Sequence, residues 1–201
     1  MLIVNQIKKS FGDKPVLEGV SFTVNSGERL ALIGENGIGK TTLLRTICGE
    51  LPPLSGALRL GANVQIGYMS QEQEELDPDL NALRTIRNQT AISETDARTF
   101  LSYFLFTGDE VFVPVKRLSY GERARLSLAS WVMRGSNFLM LDEPINHLDI
   151  PSRARFEQAL TNFEGTVLAV VHDRYFIDGF ATQVWEVKGQ GLVVDDKISR
   201  F

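Results

Sequence analysis

The stretch Gly34-Glu35-Asn36-Gly37-Ile38-Gly39-Lys40-Thr41 decides how the rest of the sequence is interpreted. It satisfies the pattern G-x-x-x-x-G-K-[S/T], in which glycine-rich backbone N–H groups cradle phosphates, the lysine reaches the β and γ phosphates, and the hydroxyl binds Mg²⁺. A short apolar run, residues 29–33, precedes it, and a helix that we predict over residues 40–48 follows it, with Thr42 in its first turn. That context disfavours the alternative of a glycine-rich turn that merely joins a strand to a helix. The sequence therefore predicts a phosphate loop.

Composition excludes several classes of protein. The chain has 201 residues and a formal net charge of -4, which argues against coating nucleic acid by bulk electrostatics. Its one cysteine, Cys48, excludes an internal disulfide and fits a cytoplasmic location. No apolar run approaches the roughly 20 residues that a membrane-spanning helix needs. We expect a single cytoplasmic domain with no membrane-spanning segment.

Apolar periodicity predicts a mainly parallel sheet. Short continuous apolar runs at residues 29–33, 138–141 and 166–171 are typical of central strands buried on both faces. Residues 2–7 and 20–24 alternate apolar and polar side chains, as half-buried strands do. Further strands are predicted at 58–60 and 64–69, and a closing hairpin at 184–187 and 192–194. Strands that alternate with helices imply an α/β fold.

Helices dominate the middle of the chain. Candidate helices lie near residues 79–88 and 94–104, and a later one spans 151–163, with proline at its start. We therefore divide one domain, residues 1–201, into a core of 1–71 and 136–201 and a helical subdomain of 72–135.

Two carboxylates end a predicted strand. Asp142 and Glu143 follow the apolar residues 138–141, and Pro144 stops the strand. In phosphate-loop enzymes an aspartate at this place holds Mg²⁺. The next carboxylate can orient and deprotonate the attacking water. The alternative, a solvent-exposed acid pair, is disfavoured because the chain also contains a complete phosphate loop.

The segment Leu118-Ser119-Tyr120-Gly121-Glu122 opens a predicted helix. Alone, Ser119 and Glu122 would be a capping box with a purely structural role. The order of phosphate loop, Gln71, this segment, Asp142-Glu143 and His172 resembles that of ATP-binding-cassette (ABC) ATPases over nearly the whole chain. The segment is similar to their Leu-Ser-Gly-Gly-Gln signature, with Tyr120 and Glu122 as departures. The resemblance implies a P-loop NTPase fold with a mainly parallel central sheet, an antiparallel β subdomain and a helical insertion subdomain.

The resemblance also implies roles at the chain's own nucleotide. Phe11 would stack on adenine and Val16 would pack near the ribose and base. Gln71 would bind Mg²⁺ together with Thr41 and Asp142. His172 would contact the γ-phosphate, and with Glu143 it completes the expected catalytic pair. Structural alternatives stay open. In these, Phe11 is an aromatic residue of the core, Gln71 is a surface residue, and His172 is a structural residue whose ring nitrogens are hydrogen-bonded.

A second set of residues is implied to serve a partner domain. Ser119, Gly121 and Glu122 of the signature would face the γ-phosphate of a nucleotide held by another ABC domain. The segment 146–149, ending in Asp149, would cross the interface. One copy would then have an incomplete site, so we expect the isolated chain to bind ATP with Mg²⁺ and to hydrolyse it slowly.

Three stretches point to one branch of the family. Residues 142–149 (Asp-Glu-Pro-Ile-Asn-His-Leu-Asp), residues 171–177 (Val-His-Asp-Arg-Tyr-Phe-Ile) and residues 121–126 resemble ABC-F proteins. These are tandem ATPases that act on the ribosome, including translation factors and antibiotic-resistance proteins. The resemblance implies that the chain is one half of such a protein, with the second half as the better match. We expect a fragment whose tail at 197–201 belonged to something larger.

Two other functions remain open from the sequence. One is the ATPase subunit of an ABC membrane transporter, which residues 146–149 disfavour. The other is a nucleotide-dependent scaffold with little turnover, which the presence of Glu143 and His172 disfavours. The expected partners are a second ABC ATPase domain and, through the full-length protein, the ribosome.

Overall fold

Two β-sheets and six α-helices organise the computed structural model, which describes residues 1–70, 76–189 and 191–195. The described strands are β1 Leu2–Phe11, β2 Lys14–Val24, β3 Arg29–Ile33, β4 Ser55–Leu60, β5 Ile66–Met69, β6 Phe138–Asp142, β7 Thr166–Val170, β8 Gln183–Lys188 and β9 Gly191–Asp195. The described helices are α1 Lys40–Ile47, α2 Ala82–Arg87, α3 Glu94–Tyr103, α4 Tyr120–Met133, α5 Ile150–Thr161 and α6 Arg174–Phe180. Two 3₁₀ turns, Gly108–Phe112 and Val115–Arg117, lead into α4.

The larger sheet has six strands in the order β5-β6-β7-β3-β8-β9. All its pairings are parallel except β8 with β9. Its central strands β6 and β7 are buried along their whole length, as their continuous apolar runs predict. Because β6, β7 and β3 are neighbours, the residues that follow them meet at one edge of the sheet, where open α/β sheets bind ligands.

The smaller sheet is antiparallel, in the order β2-β1-β4. Alternate residues of β1 and β2, such as Leu2, Val4 and Leu17, are buried in one cluster with residues of α1, β3 and β7. The predicted fold class, a P-loop NTPase with a mainly parallel sheet and an antiparallel β subdomain, is confirmed.

Side-chain caps fix where three helices begin. Asn81, Ser93 and Ser119 each accept a backbone N–H of the following turn with their side chains. The predicted helix at 79–88 therefore starts at Ala82, since Asn81 occupies the cap. These helices share a buried cluster that includes Leu101, and their assignment to a subdomain of residues 72–135 stays a prediction.

A few predicted boundaries were wrong. Strand β2 starts at Lys14 rather than at residue 20, because it pairs with β1 up to the turn where Phe11 faces Lys14. Strand β5 starts at Ile66 rather than at 64, and helix α6 has no counterpart in the sequence predictions. The tail at 197–201 lies outside the described residues. Within the described part of the chain, no helix has the length and apolar character needed to cross a membrane.

Candidate active site

Three glycines of the phosphate loop adopt positive φ: Gly34 (143°), Gly37 (76°) and Gly39 (112°). Two of them also lie where no side chain fits. A Cβ on Gly34 would come within 2.7 Å of the Val187 carbonyl oxygen, and one on Gly39 within 2.6 Å of Val16 Cγ1. The loop therefore depends on glycine for its backbone conformation and for its close packing. Gly39 is the N-cap of α1, so the loop's backbone leads directly into a helix N-terminus, which favours anions.

The side chain of Lys40 is hydrogen-bonded to the backbone of its own loop. Its Nζ donates hydrogen bonds to the carbonyl oxygens of Gly34 (2.7 Å) and Glu35 (2.8 Å), and only 5% of the residue is exposed. Burial lowers the pKa of Lys40, although the negative charges of Glu143 and Asp142 oppose this shift. The ammonium thus lies at the loop beside two carboxylates, positioned to exchange carbonyl contacts for phosphate oxygens.

A cavity of about 500 Å³ opens over this loop. Its lining joins the antiparallel sheet, the loop, the start of α1 and the end of β6, through Phe11, Lys14, Val16, Asn36, Gly37, Gly39, Lys40, Thr41, Thr42 and Glu143. Most of the predicted nucleotide residues therefore surround one space. Phe11 is 51% exposed, so it is not the core aromatic of the structural alternative.

Four residues differ from the predicted lining. Gly34 and Glu35 contribute their backbone carbonyls to Lys40 instead of lining this cavity. Ile38 lines an adjacent cavity of about 450 Å³ that shares Val16, Asn36 and Gly37 with the first. Lys14 lines both, and sequence reasoning missed it. The signal available was its place directly after the Gly12-Asp13 turn, which sets it opposite Phe11.

Asp142 is the last residue of β6 and is 1% exposed. Both of its carboxylate oxygens are buried and accept no well-formed hydrogen bond; burial raises the pKa of this carboxyl, and the neighbouring Thr41 hydroxyl opposes the shift. Native proteins rarely leave such a group unpaired. A divalent cation would satisfy it, so the residue fits the predicted Mg²⁺ ligand. Of the other predicted ligands, Thr41 lines the cavity, whereas Gln71 lies outside the described residues.

Glu143 adopts a left-handed backbone conformation, with φ of 54°. Its N–H donates to the Val170 carbonyl oxygen of the neighbouring strand (3.0 Å), and the Asn146 amide donates to its Oε2. His172, just past the end of β7, brings Nε2 to 3.5 Å from Glu143 Oε1. A positive φ costs a non-glycine residue about 1 kcal/mol or more, so the fold holds this side chain at the cavity against a local preference.

The signature residues lie apart from this cavity. Ser119 and Glu122 form a complete capping box at the start of α4, with Ser119 N donating to Glu122 Oε2 at 2.7 Å. Burial opposes it, but these hydrogen bonds from Ser119 hold the pKa of Glu122 below its usual value. A Cβ on Gly121 would meet Ser152 Cβ at 2.8 Å, so glycine here permits α4 to approach α5. None of these three residues lines the cavity over the phosphate loop.

The segment 146–149 lies between β6 and α5 and contacts the start of α4. The Tyr120 and His147 rings make an edge contact with centroids 5.4 Å apart. Asp149 is exposed and caps α5 by accepting the Ser152 N–H at 2.9 Å, and hydrogen bonds from the Ser152 side chain and N–H lower the pKa of Asp149. The start of α4, this segment and the start of α5 therefore form one continuous surface.

The fold and the cavity together define a P-loop nucleotide-binding domain. The family model described as ABC transporter matches residues 17–146. The chain belongs to this family, the ATP-binding-cassette domains, and the predicted enzyme class, an ATPase, is confirmed at that level.

Comparison with curated relatives identifies the branch of the ABC family to which the chain belongs. The chain is 48% identical to the putative ATP-binding protein YdiF of Bacillus subtilis, with 89% of this chain and 28% of that protein covered. It is 34% identical to the ribosome protection protein VmlR of the same organism, with 95% and 35% covered. It is 38% identical to the ATP-binding protein Uup of Escherichia coli, with 90% and 29% covered. These are ABC-F proteins, so the predicted branch is confirmed, while the position within a tandem chain stays a prediction.

The chain spans about a third of the length of the curated relatives it matches. Among solved structures, it matches the ATP-binding cassette MJ0796, described as a dimer in a post-hydrolysis state bound to ADP and Pi. The TM-score is 0.80 at 20% identity, with 100% of both chains covered, and this likeness concerns the fold.

Proposed function

We propose that this domain binds ATP over residues 34–42 and hydrolyses it when a second ABC domain completes the site. In this proposal the pair closes head to tail, and the closure drives a conformational change of a cytoplasmic ABC-F protein on the ribosome. The observation that carries the proposal is the separation of two sets of residues. The cavity gathers the loop, Phe11 and Glu143, while Ser119, Gly121 and Asp149 lie on another surface.

The chain's own residues account for binding and for proton transfer. Phe11 offers an exposed ring to the adenine, Val16 packs beside the loop, and backbone N–H groups with Lys40 hold the phosphates. Glu143, held by Asn146, accepts a proton from the water that attacks the γ-phosphorus, and ADP leaves. His172 Nε2 lies 3.5 Å from the other carboxylate oxygen, Oε1, and would contact the γ-phosphate.

Magnesium fits the residues present. Thr41 and Asp142 would hold Mg²⁺, with Gln71 as the third proposed ligand, and the ion would neutralise charge on the β- and γ-phosphate oxygens. The orphaned carboxylate oxygens of Asp142 support this assignment.

The partner surface follows from the helix N-terminus. The Ser119 hydroxyl and the first turn of α4, including Gly121, would receive the γ-phosphate held by the opposite domain, because a helix N-terminus favours anions. Glu122 keeps that turn capped. Asp149, at the start of α5, would extend the contact to the opposite phosphate loop.

Glu143→Gln tests the hydrolytic part. Removal of a general base should lower the turnover rate by about 10²–10⁴-fold while ATP binding stays intact. Glu164→Gln, on the exposed turn before β7, is the matched control and should keep wild-type turnover. Sedimentation velocity should show ATP-dependent association of the Glu143→Gln chain. Full turnover by a strictly monomeric sample would contradict the shared site.

The ribosomal part needs the full-length protein. Its Glu143→Gln variant, trapped with ATP, should co-sediment with ribosomes, and the same protein with ADP should not. The relative VmlR, named a ribosome protection protein, supports this choice of partner. If co-sedimentation does not depend on ATP, the ribosome is rejected as the partner. The transporter alternative is then favoured, and binding to a membrane subunit tests it.

A further inference from the structure

The ring of Phe11 has a cation on one of its faces. Lys9 Nζ lies 5.5 Å from the ring centroid. Lys9 and Phe11 are two positions apart on β1, in the stretch where its pairing with β2 shifts register. Phe11 lines the nucleotide cavity, whereas Lys9 does not. The ammonium therefore contacts a ring that lines the cavity while lying outside that lining itself.

The Lys9 ammonium is itself anchored. Its Nζ donates a hydrogen bond of 2.7 Å to the Pro52 carbonyl oxygen, in the turn between α1 and β4. That turn is tied to β1 by a second hydrogen bond, from Leu54 N to the Lys8 carbonyl oxygen at 2.8 Å. Lys9 is half-buried, while Phe11 is 51% exposed. The cation is thus anchored to the turn after α1, and about half of the Phe11 side chain it contacts stays exposed.

We infer that Lys9 is a positioning residue for base recognition: it holds the Phe11 ring from behind, so that the opposite face is presented to the adenine. This inference rests on the proposed function, in which Phe11 stacks on the base. An exposed aromatic side chain loses rotamer freedom when a ligand stacks on it, and pre-ordering removes part of that cost. The attraction between the ammonium and the ring face supplies the pre-ordering.

The consequence is specific to the base. Lys9 lies outside the cavity, so its removal should leave the phosphate contacts of the loop unchanged. A ligand with a base should therefore lose affinity, and a ligand made only of phosphate should not. ADP and pyrophosphate make this comparison without hydrolysis during the measurement.

The experiment titrates ADP and pyrophosphate, each with Mg²⁺, into the chain by calorimetry. Lys9→Met keeps the aliphatic stem and removes the charge, and it should weaken ADP binding about three- to fivefold, as loss of an exposed cation–π contact predicts. Pyrophosphate affinity should stay unchanged. Lys9→Arg keeps a cation and should restore ADP affinity. Lys8→Met makes the same change on the opposite face of the strand and should leave both affinities at wild-type values.

A double variant separates this inference from the proposed function. With Phe11→Ala in place, Lys9→Met should have no further effect on ADP, because the ring it positions is gone. If Phe11→Ala weakens ADP and pyrophosphate equally, the base-stacking assignment fails. If Phe11→Ala is selective for ADP but Lys9→Met is not, Lys9 is only a structural residue and the inference is overturned.

Discussion

Asp142→Asn should stabilise the ligand-free domain although it removes a residue of the proposed site. Asp142 is 1% exposed, and its carboxylate oxygens accept no well-formed hydrogen bond. A buried ion of this kind costs several kcal/mol, whereas an unpaired buried amide costs about 1–3 kcal/mol. The contact with the Thr41 hydroxyl and the attraction of Lys40 offset part of the difference. We expect a net gain of about 1–2 kcal/mol, which raises the Tm of a domain of this size by about 2–8 °C.

The pH dependence of this gain has a definite sign. Burial raises the pKa of Asp142 in the folded state, so the folded domain binds the proton more tightly than the unfolded chain. The destabilisation is therefore absent below the unfolded pKa of about 3.9 and develops as the pH rises through the interval up to the folded pKa. The difference in Tm between wild type and Asp142→Asn should be largest at neutral pH and should shrink toward pH 4.

Thermal unfolding with and without Mg²⁺ and ADP completes the test. Ligand that binds only the folded state stabilises it, by about 2.7 kcal/mol at a hundredfold excess over Kd. Wild type should show a Mg²⁺-dependent part of this stabilisation that Asp142→Asn lacks. Asp149→Asn is the matched control, since Asp149 is an exposed helix cap and asparagine caps equally well. A lower Tm for ligand-free Asp142→Asn would refute the reasoning, because it would mean that the carboxylate is already satisfied.

Four further outcomes are expected. Gly121→Ala should lower the free energy of unfolding, measured in urea, by about 1–3 kcal/mol, because the added Cβ would lie 2.8 Å from Ser152 Cβ; Gly179→Ala, in α6 with open space around it, should raise it by about 0.5–1 kcal/mol. Arg153→Gln should cost about 1 kcal/mol in the same assay, since it breaks a partly buried ion pair between α5 and α6 with Asp173, while an unchanged value would show that the pair is dispensable. Cys48 should react with a disulfide reagent at pH 8 about a thousandfold more slowly than an unhindered thiol, because burial raises the pKa of its thiol to about 12; a normal rate would contradict that burial. Glu122→Gln should keep the capping box but strengthen ATP-dependent association in sedimentation, because it removes a carboxylate from the surface proposed to receive a phosphate; weaker association would argue that the charge is needed.

The sequence predicted those parts of the site that depend on strand ends. The phosphate loop follows β3, Asp142 and Glu143 end β6, and His172 follows β7, and all three strands could be recognised as buried apolar runs. Parallel neighbours bring these ends together, so the 3.5 Å approach of His172 to Glu143 follows from topology. No local pattern marks Glu143 as left-handed, because that conformation is imposed by its hydrogen bond to β7.

Contacts between segments that are far apart in the chain could not be predicted from the sequence. Lys9 meets the Pro52 carbonyl oxygen across 43 positions, and nothing in either segment encodes the pairing. Gly121 is part of a recognisable motif, yet its packing on Ser152 gives it a structural role that the motif does not reveal. Residue type predicts chemistry in such cases, but the close approach of backbones depends on the packed fold.

The same residues at the start of α4 serve stability in one chain and would serve chemistry in a pair. Ser119 and Glu122 satisfy each other's polar groups, and Asp149 is satisfied by Ser152, so this surface is complete without a ligand. The carboxylate oxygens of Asp142, by contrast, accept no well-formed hydrogen bond, although the Thr41 hydroxyl and the Lys40 ammonium act on this carboxylate. The buried carboxylate next to the phosphate loop thus lacks the hydrogen bonds that the polar groups at the start of α4 and α5 already have. We therefore expect the domain to bind nucleotide with Mg²⁺ first, because that step removes the penalty at Asp142, and we expect closure onto a second domain to depend on the bound phosphate.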